Sequence, residues 1–324
     1  MRIAITGSVA TDHLMSFPGR FADQLLPDQL DRLSLSFLVD ELVVRRGGVA
    51  ANIAFGMGRL GLRPALVAAV GEDFADYRSW LDRAGVDTAS IHTSTSAHTA
   101  RFLCTTDQDM CQIASFYPGA MGEARDIELQ PVAERLGGLD LVLVSPNDPD
   151  AMVRHSQESR TRGYALAADP SQQLARMDGD DIRELVDGAT WLFCNDYEKS
   201  LLEQKTGWSD ADVLALVGTR VTTRGAQGIR IEQQDSPPVD VVAVPERAKA
   251  DPTGVGDAFR AGYLSGVAWS LPAERCAQLG SLLATLALET VGTQEYEVDA
   301  ESVQRLRACF GDAAADEISP HLPA

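Results

Sequence analysis

The sequence has very little lysine: among 324 residues, the only lysines are Lys199, Lys205 and Lys249. None of the three follows a glycine-rich turn, so the chain lacks the phosphate-binding lysine of P-loop and protein-kinase enzymes. The motif G-x-x-x-x-G-K-[ST] is also missing. If the protein handles phosphate, arginine side chains, helix N-termini and a metal ion must do so.

Positive charge is scarce as a whole. The 28 Lys and Arg residues stand against 47 Asp and Glu residues, which gives a net charge of −19. Nucleic acid and anionic membranes require a basic face, so we expect neither as a partner and favour a small-molecule ligand. No apolar run is long enough to span a bilayer, and the chain starts directly in a strand pattern without the apolar stretch of a signal peptide. We therefore expect a cytoplasmic protein.

Several motifs of metal sites and of other enzyme classes are also missing. The sequence contains no metal-ligand spacing, no H-E-x-x-H and no G-x-S-x-G. The segment 254–259 lacks the third glycine of a dinucleotide fingerprint, which disfavours a Rossmann oxidoreductase. The five cysteines are odd in number and scattered among apolar neighbours, which predicts reduced thiols in the core or in strands; they are Cys104, Cys111, Cys194, Cys276 and Cys309.

Short apolar runs rich in Val, Leu and Ile alternate with amphipathic helical stretches in the middle of the chain. This rhythm predicts βαβ units and an α/β fold with a parallel sheet covered on both faces. The predicted strands are 139–145, 164–169, 190–195 and 220–223, and the helices between them are 148–163, 179–188 and 197–207. Because ligands lie at the carboxyl ends of such strands, the polar residues that follow them are candidates: Asp12, Asp169, Gln172, Asn195, Glu198 and Thr223.

Two stretches, 14–46 and 93–119, have alternating strand-like patterns and no helix long enough to cover a sheet; the clearest patterns are 33–39, 99–104 and 112–117. They predict a small β-sheet inserted in two excursions from a large domain made of 1–13, 47–92 and 120–324. An exposed face on that sheet favours a lid or a dimer contact. From residue 254 onward we expect helices, over 254–270, 272–291 and 299–318.

The segment from Asp251 to Phe259 joins a glycine turn to a carboxylate and then to a helix-forming run. Backbone N–H groups at such a helix start carry positive partial charge, which suits a migrating phosphoryl group. Asp257 lies in the first turn and is the first candidate for a general base that removes a hydroxyl proton. Taken alone, the segment is equally compatible with an ordinary glycine-rich helix entry.

Three further patterns have both a functional and an ordinary interpretation. Asn195 and Glu198 suit Mg²⁺ held partly through water, although a helix-capping box explains the pair better when it is taken alone. The turn between Thr223 and Gly228 is compatible with a nucleotide-binding edge or with a plain hairpin. Asn52, which follows a double glycine into a helix, suits a substrate hydroxyl.

Four segments, in this order and spacing, resemble motifs of the ribokinase-like (PfkB) family of carbohydrate and nucleoside kinases: Gly47-Gly48-x-x-x-Asn52, Asn195-x-x-Glu198, Thr223-x-Gly225-x-x-Gly228 and Asp251-x-Thr253-Gly254-x-Gly256-Asp257. The resemblance covers nearly the whole chain. It implies a three-layer α/β/α domain with a mostly parallel central sheet and a small β-sheet lid. Segments 4–14, 113–121 and 168–173 are similar to the bacterial adenosine kinases of this family, which implies transfer of the γ-phosphoryl group of ATP to the 5′-hydroxyl of adenosine.

The resemblance also implies roles for individual residues. Asp257 would be the base, with an anion hole from Gly254, Val255 and Gly256. Adenosine would bind at Ser8, Asp12, Ser36, Gly48, Asn52, Phe102, Phe116, Gln172, Gln173 and Arg176, with the two phenylalanines sandwiching the base. ATP would lie along Asn195, Thr223, Gly225, Gly228 and Ser281.

The resemblance further implies two cations and a homodimer. Mg²⁺ would be organised by Asn195 and Glu198, K⁺ by Asp251 and Thr253, and dimerisation would use the inserted sheet. Arg224 departs from the family pattern, since an apolar residue usually stands there; it either contacts a phosphate or points to solvent. A ribokinase or another sugar kinase, and a non-catalytic ligand-sensing relative, stay open as alternatives.

Overall fold

In a computed structural model, which describes residues 1–25, 32 and 34–323, strands and helices alternate along most of the chain. The strands are β1 (Ile3–Thr6), β2 (Ala10–Ser16), β3 (Glu41–Gly47), β4 (Ala65–Val67), β5 (Ala69–Gly71), β6 (His92–Ser94), β7 (Ala100–Thr106), β8 (Gln112–Tyr117), β9 (Leu141–Val144), β10 (Ala165–Ala168), β11 (Trp191–Asn195), β12 (Thr219–Thr223), β13 (Ile229–Glu232) and β14 (Val239–Val241). The α-helices are α1 (Phe21–Gln24), α2 (Val49–Arg59), α3 (Ala75–Arg83), α4 (Gln130–Leu136), α5 (Pro149–Arg162), α6 (Gly179–Val186), α7 (Asp196–Thr206), α8 (Asp210–Leu216), α9 (Val255–Ala268), α10 (Ala273–Leu288), α11 (Ala300–Phe310) and α12 (Asp312–Ile318).

The central sheet has eight strands in the order β14-β13-β12-β11-β10-β9-β1-β4. Neighbouring strands from β12 to β4 run parallel, whereas β13 and β14 join antiparallel at one edge. The mostly parallel sheet predicted from the alternating pattern is confirmed. Its strands end together at one edge, so the residues that follow β1, β10, β11 and β12 are brought close to one another.

Helices cover both faces of this sheet, which explains why its strands are continuous apolar runs. In β9, Leu141 and Leu143 belong to a core with residues of α2, α9 and α10, while Val142 and Val144 point into a second core with residues of α5 and α6. All four side chains are fully buried. The three-layer α/β/α arrangement is therefore confirmed.

A second sheet of four strands, in the order β3-β2-β7-β8, contains the two inserted stretches. Asp12 pairs with Arg45 on one side and with Phe102 on the other, and Phe102 in turn pairs with Phe116. Residues paired across strands project from the same face. One face of the small sheet thus presents an acidic residue, a basic residue and two aromatic rings together.

Two of the strand predictions in this region are wrong. Residues 34–39 form no strand, and the strand lies instead at Glu41–Gly47; Leu33 is outside the described residues. The alternation at 34–39 arises because Phe37 packs against the rings of Phe17 and Phe21, which gives an extended segment one sheltered side without a pairing strand. Asp12 does not follow the first strand either, since it lies inside β2.

Other differences from the expected elements are smaller. The helix expected over 299–318 is interrupted by Gly311, whose φ of 85° ends α11 and begins α12. Cys111 is exposed in the turn between β7 and β8, so the expectation of a core or strand thiol is wrong there. Among the described residues, no helix is long and apolar enough to cross a bilayer.

Candidate active site

A pocket of about 430 Å³ lies between the small sheet and the edge of the central sheet where its strands end. It brings together nine of the ten residues predicted to bind the acceptor: Ser8, Asp12, Gly48, Asn52, Phe102, Phe116, Gln172, Gln173 and Arg176. Ser36 does not line it and is exposed on the segment that lacks a strand. Asp257 and Thr253 also line the pocket, so the predicted base faces the predicted acceptor site.

Helix α9 begins at this pocket with a left-handed glycine. Gly254 has a φ of 75°, and a Cβ at that position would lie 2.8 Å from Thr293 Cγ2, so both conformation and space require glycine. The first hydrogen bond of the helix runs from the Ala258 N–H to the Gly254 carbonyl at 2.9 Å. The N–H groups that precede it belong to the free start of the helix, where an anion is stabilised.

Asp257 is held by a hydrogen bond from a distant helix. Asn52 Nδ2 in α2 donates to Asp257 Oδ2 at 2.8 Å. Desolvation by the surrounding protein raises the pKa of Asp257 to about 6, opposed by the charge of Arg260 and by the Asn52 hydrogen bond. A carboxyl whose pKa lies near neutrality is suited to take a proton and release it again.

A buried ion pair adjoins this carboxylate. Arg260 Nη2 lies 2.6 Å from Asp169 Oδ1, with the Arg260 side chain 8% exposed and that of Asp169 fully buried. Burial raises the pKa of Asp169 to about 7, against the opposing charge of Arg260. Glu198 contributes a third negative charge, which raises the pKa values of both aspartates.

The lining of the predicted acceptor pocket combines polar and aromatic side chains. Gly48 has a φ of 94°, and a Cβ there would lie 2.6 Å from backbone atoms of residues 8, 9 and 10, so the chain passes close to the start of β2 only because this residue is glycine. Desolvation raises the pKa of Asp12, and Arg45 opposes the shift. Phe116 is 46% exposed, so its ring is available to a ligand.

A second pocket of about 230 Å³ lies on the other side of the start of α9. It contains four of the five residues predicted to hold the nucleotide, namely Thr223, Gly225, Gly228 and Ser281, but not Asn195. The hairpin interpretation of the glycine turn is also correct, since β12 and β13 pair antiparallel on either side of it. Val255 and Gly256 line this second pocket, so one helical turn separates it from the first.

Arg224 points away from this second pocket. Its Nη2 donates to Asp240 Oδ1 at 2.7 Å, and Arg230 shares the same carboxylate. The sequence left open whether Arg224 contacts a phosphate or points to solvent; in the structure its side chain is 20% exposed and pairs with Asp240.

Asn195 and Glu198 form the capping box that the sequence also suggested. Asn195 Oδ1 accepts from the Glu198 N–H, and Glu198 Oε2 accepts from the Asn195 N–H, both at 2.8 Å. The pair still fits a hydrated Mg²⁺. Each oxygen keeps a further lone pair for a water of the hydrated ion. Among the described residues, no group of three or more His, Cys, Asp or Glu side chains is arranged to hold a metal ion directly.

The Asp251 carboxylate is already engaged by the protein. It accepts from the Thr253 N–H at 2.9 Å and from the Gly292 N–H at 3.2 Å, and Arg45 Nη1 lies 3.4 Å away. These contacts hold the pKa of Asp251 below its usual range, despite desolvation. Arg45 thus already provides a positive charge beside the residues predicted to hold K⁺.

Several residues of the site were not predicted from the sequence. Arg260 had one signal, a charged residue within the otherwise uncharged segment 258–268 of α9. Thr293 and Gln294 had none, because they lie in a loop after α10 and reach the site only through the fold. Both donate to Asn52 Oδ1, at 2.9 Å and 2.8 Å respectively.

Comparison with known proteins identifies the family in which this arrangement occurs. The model of the pfkB family of carbohydrate kinases matches residues 9–300. The chain belongs to the PfkB family. This PfkB protein is therefore a kinase, and the resemblance of its four motifs to that family is confirmed.

Relatives of this PfkB protein include nucleoside kinases. One from Methanothermobacter thermautotrophicus is 31% identical over 291 residues, which cover 88% of this chain and 92% of that protein. The ligand-free structure of a Burkholderia thailandensis nucleoside kinase is 34% identical with a TM-score of 0.85, and covers 94% of this chain and 99% of that one. The inosine complex of the same protein is 32% identical with a TM-score of 0.81, and covers 96% and 98%.

Proposed function

We propose that this PfkB protein is an ATP-dependent nucleoside kinase that transfers the γ-phosphoryl group of ATP to the 5′-hydroxyl of adenosine, giving AMP and ADP for purine salvage. One observation carries the proposal. A single pocket is lined by two aromatic rings, Phe102 and Phe116, by the polar Asp12 and Asn52, and by Asp257. A free sugar would leave the aromatic rings unused.

The pocket suggests a pose for the acceptor. The nucleobase stacks on the two phenylalanines, a contact worth about 1–3 kcal/mol per base. Asp12, Gly48 and Asn52 hold the ribose hydroxyls, which leaves the 5′-hydroxyl facing Asp257. Gln172, Gln173 and Arg176 line the same pocket and supply polar contacts to the base.

The chemistry follows from the start of α9. Asp257 takes the proton of the 5′-hydroxyl while that oxygen attacks the γ-phosphorus of ATP from the opposite side of the helical turn. The N–H groups from Gly254 to Asp257 stabilise the negative charge of the transferring group. Mg²⁺, organised by Asn195 and Glu198, would supply charge neutralisation on the phosphates. We keep K⁺ near Asp251 and Thr253 as a prediction, with Arg45 as a competing cation.

Support for a nucleoside acceptor also comes from the relatives. The Burkholderia thailandensis nucleoside kinase has been solved with inosine and with ADP-inosine, and the latter structure is 34% identical to this chain with a TM-score of 0.79. Adenosine and inosine differ at one exocyclic position of the base. Inosine is therefore the second candidate acceptor for this chain.

The small sheet is the basis for two further proposals, on closure over the acceptor and on dimerisation. We propose that residues 14–46 and 93–119 form a lid over the acceptor and that two copies associate through the small sheet. Val44 is 54% exposed and Ile113 is 49% exposed on the sheet face opposite Phe102, which supports that contact. We place the protein in the cytoplasm.

The deciding experiment measures ATP turnover with Mg²⁺ and K⁺, presenting adenosine, inosine, other nucleosides, ribose and fructose separately. Highest kcat/KM with adenosine is the expected result. If kcat/KM is highest with inosine, the protein is still a nucleoside kinase, but the preferred base is hypoxanthine and not adenine. Turnover only with a free sugar would make the protein a sugar kinase, and binding without turnover of any acceptor would favour a ligand sensor. The variant Asp257→Asn is the matched control for contaminating kinases.

A further inference from the structure

A chain of hydrogen bonds connects the catalytic carboxylate to a tryptophan outside the acceptor pocket. Trp80 Nε1 in α3 donates to Gln294 Oε1 at 3.1 Å. Gln294 Nε2 donates to Asn52 Oδ1 at 2.8 Å. Asn52 Nδ2 donates to Asp257 Oδ2 at 2.8 Å. Gln294 is 2% exposed and Asn52 is 5% exposed, so water does not compete for these groups.

The direction of every bond in this chain is fixed by its first member. An indole N–H is only a donor, so the Gln294 group that faces Trp80 is its oxygen. The amide nitrogen of Gln294 then faces Asn52 and also the hydroxyl of Tyr77. The Tyr77 hydroxyl donates a hydrogen bond to the Gly47 carbonyl at 2.9 Å, so the lone pairs of its oxygen can accept from Gln294.

The same reasoning fixes the amide of Asn52. Its oxygen accepts from Gln294 Nε2 at 2.8 Å. The Thr293 hydroxyl lies 2.9 Å from the same oxygen and 3.0 Å from the Arg46 carbonyl, so its single proton serves one of the two at a time. A flipped Asn52 would set its NH₂ group against the NH₂ group of Gln294 and its oxygen against the Asp257 carboxylate. Both contacts would be repulsive, so the amide has one orientation, in which it donates to Asp257.

We propose that Trp80 and Gln294 are positioning residues for phosphoryl transfer: they lock the Asn52 amide so that it always donates to Asp257 Oδ2, which leaves Oδ1 for the acceptor hydroxyl. The proposal rests on the proposed function for the role of Asp257 as base. Neither residue touches the acceptor pocket itself, since Trp80 and Gln294 line a separate cavity of about 250 Å³.

The hydrogen bonds that connect Trp80, Gln294, Tyr77 and Asn52 to Asp257 form a relay. Its effect on the protonation of Asp257 must be separated from that of the other groups around this carboxylate. Those groups are Arg260 on α9, Glu198 on α7, Asp169 after β10, Tyr77 on α3 and Tyr296 in the loop before α11. Of these, Tyr77 is in the relay, and it stays neutral because burial raises its pKa. The N–H donated by Asn52 lowers the pKa of Asp257. Loss of the relay therefore moves the acid limb of the rate profile to higher pH.

Trp80→Phe removes the donor and keeps an aromatic ring between Arg46 and Arg83, both of which lie over the ring of Trp80. Gln294→Met removes the amide and keeps the chain length. For each variant we expect the apparent pKa on the acid side of the kcat/KM profile for the nucleoside to increase by about one unit. Activity at pH 6 should then fall several-fold to about tenfold, while KM for ATP is unchanged. Trp269→Phe, at a half-buried tryptophan that stacks on His321, is the matched control and leaves the profile in place.

A second readout does not depend on turnover. Carboxyl ¹³C NMR titration of Asp257 in the folded wild type, in Trp80→Phe and in Gln294→Met reports the protonation of that group directly, and Asp257→Asn identifies its signal. An upward shift in both relay variants supports the proposal even if the wild type phosphorylates no nucleoside, a result that would reject the proposed function alone. An unchanged titration in folded variants, or a uniform loss of kcat/KM at all pH values, would overturn the relay.

Discussion

Arg260 lies one helical turn beyond Asp257 and pairs at 2.6 Å with Asp169, which directly follows β10; both side chains are almost fully buried. A Cβ on Gly256 would lie 2.8 Å from Arg260 Nη1, so the guanidinium sits directly beneath the glycine turn. A chain nearly devoid of lysine thus has a buried arginine at the centre of its site. This cation offsets the charges of Asp169, Glu198 and Asp257.

Arg260→Met should destabilise the fold by about 3–5 kcal/mol at pH 8, because it leaves Asp169 buried without its partner. The loss should be smaller at pH 5. Asp169 has a folded-state pKa that is already raised, so the folded state binds a proton more readily than the unfolded state and is favoured as pH falls. Denaturant unfolding at the two pH values checks this. Arg307→Met, at an exposed arginine paired with Asp312, is the control and should leave the free energy of unfolding nearly unchanged at either pH.

The pH dependence of kcat/KM should report Asp257. The base works only as a carboxylate, and its pKa is raised to about 6, so activity should fall about tenfold per pH unit below that value. An ordinary carboxyl would keep its activity down to about pH 4. Asp257→Asn should retain nucleoside binding by calorimetry and lose about 10²–10⁴ of kcat. Normal turnover in that variant would contradict the assignment of the base.

Phe102→Ala should raise KM for the nucleoside about tenfold and leave KM for ATP unchanged, because one stacking surface of the acceptor pocket is lost. Initial rates with each substrate varied in turn measure the two effects. Leu103→Ala, on the same strand but on the opposite face, is the control and should change neither value. Equal effects of Phe102→Ala on both substrates would remove the ring from the nucleobase site.

Gly262→Ala should loosen the packing of α9 against α10. A Cβ there would lie 2.7 Å from Gly280 Cα and 2.8 Å from the Leu279 carbonyl, and backbone atoms cannot move aside cheaply. We expect a loss of about 1–3 kcal/mol or more in the free energy of unfolding. Gly122→Ala, where a Cβ meets no atom within 4 Å, should be close to neutral. Equal stability of the two variants would show that the helices separate without strain.

Much of the fold could be predicted because its strands and helices differ in local pattern. Leu141–Val144 is apolar at every residue, which fits a strand buried on both faces, and the following helix is amphipathic. Pattern alone failed at residues 34–39, where alternation came from aromatic packing and not from strand pairing.

The candidate site was predictable where a motif is local in sequence and not where it depends on distant contacts. Asp257 and its glycines lie within one turn, so the sequence displays them together. The contact between Asn52 and Asp257 joins residues 205 positions apart, and that between Trp80 and Gln294 joins residues 214 positions apart. No spacing rule connects such pairs. The partners of Arg45 and Arg224 were hidden for the same reason.

One helical turn, at the start of α9, separates the two pockets, so their linings can change independently. Under the proposed function, the acceptor pocket takes its aromatic residues from the small sheet, while the nucleotide pocket is lined by β12, β13 and the helices α9 and α10. Among the residues that the structure describes, the first turn of α9 is the element that lines both pockets. Substitutions in the inserted strands can therefore change which acceptor alcohol is recognised without altering nucleotide recognition. Acceptor specificity and phosphoryl transfer thus depend on different parts of the chain.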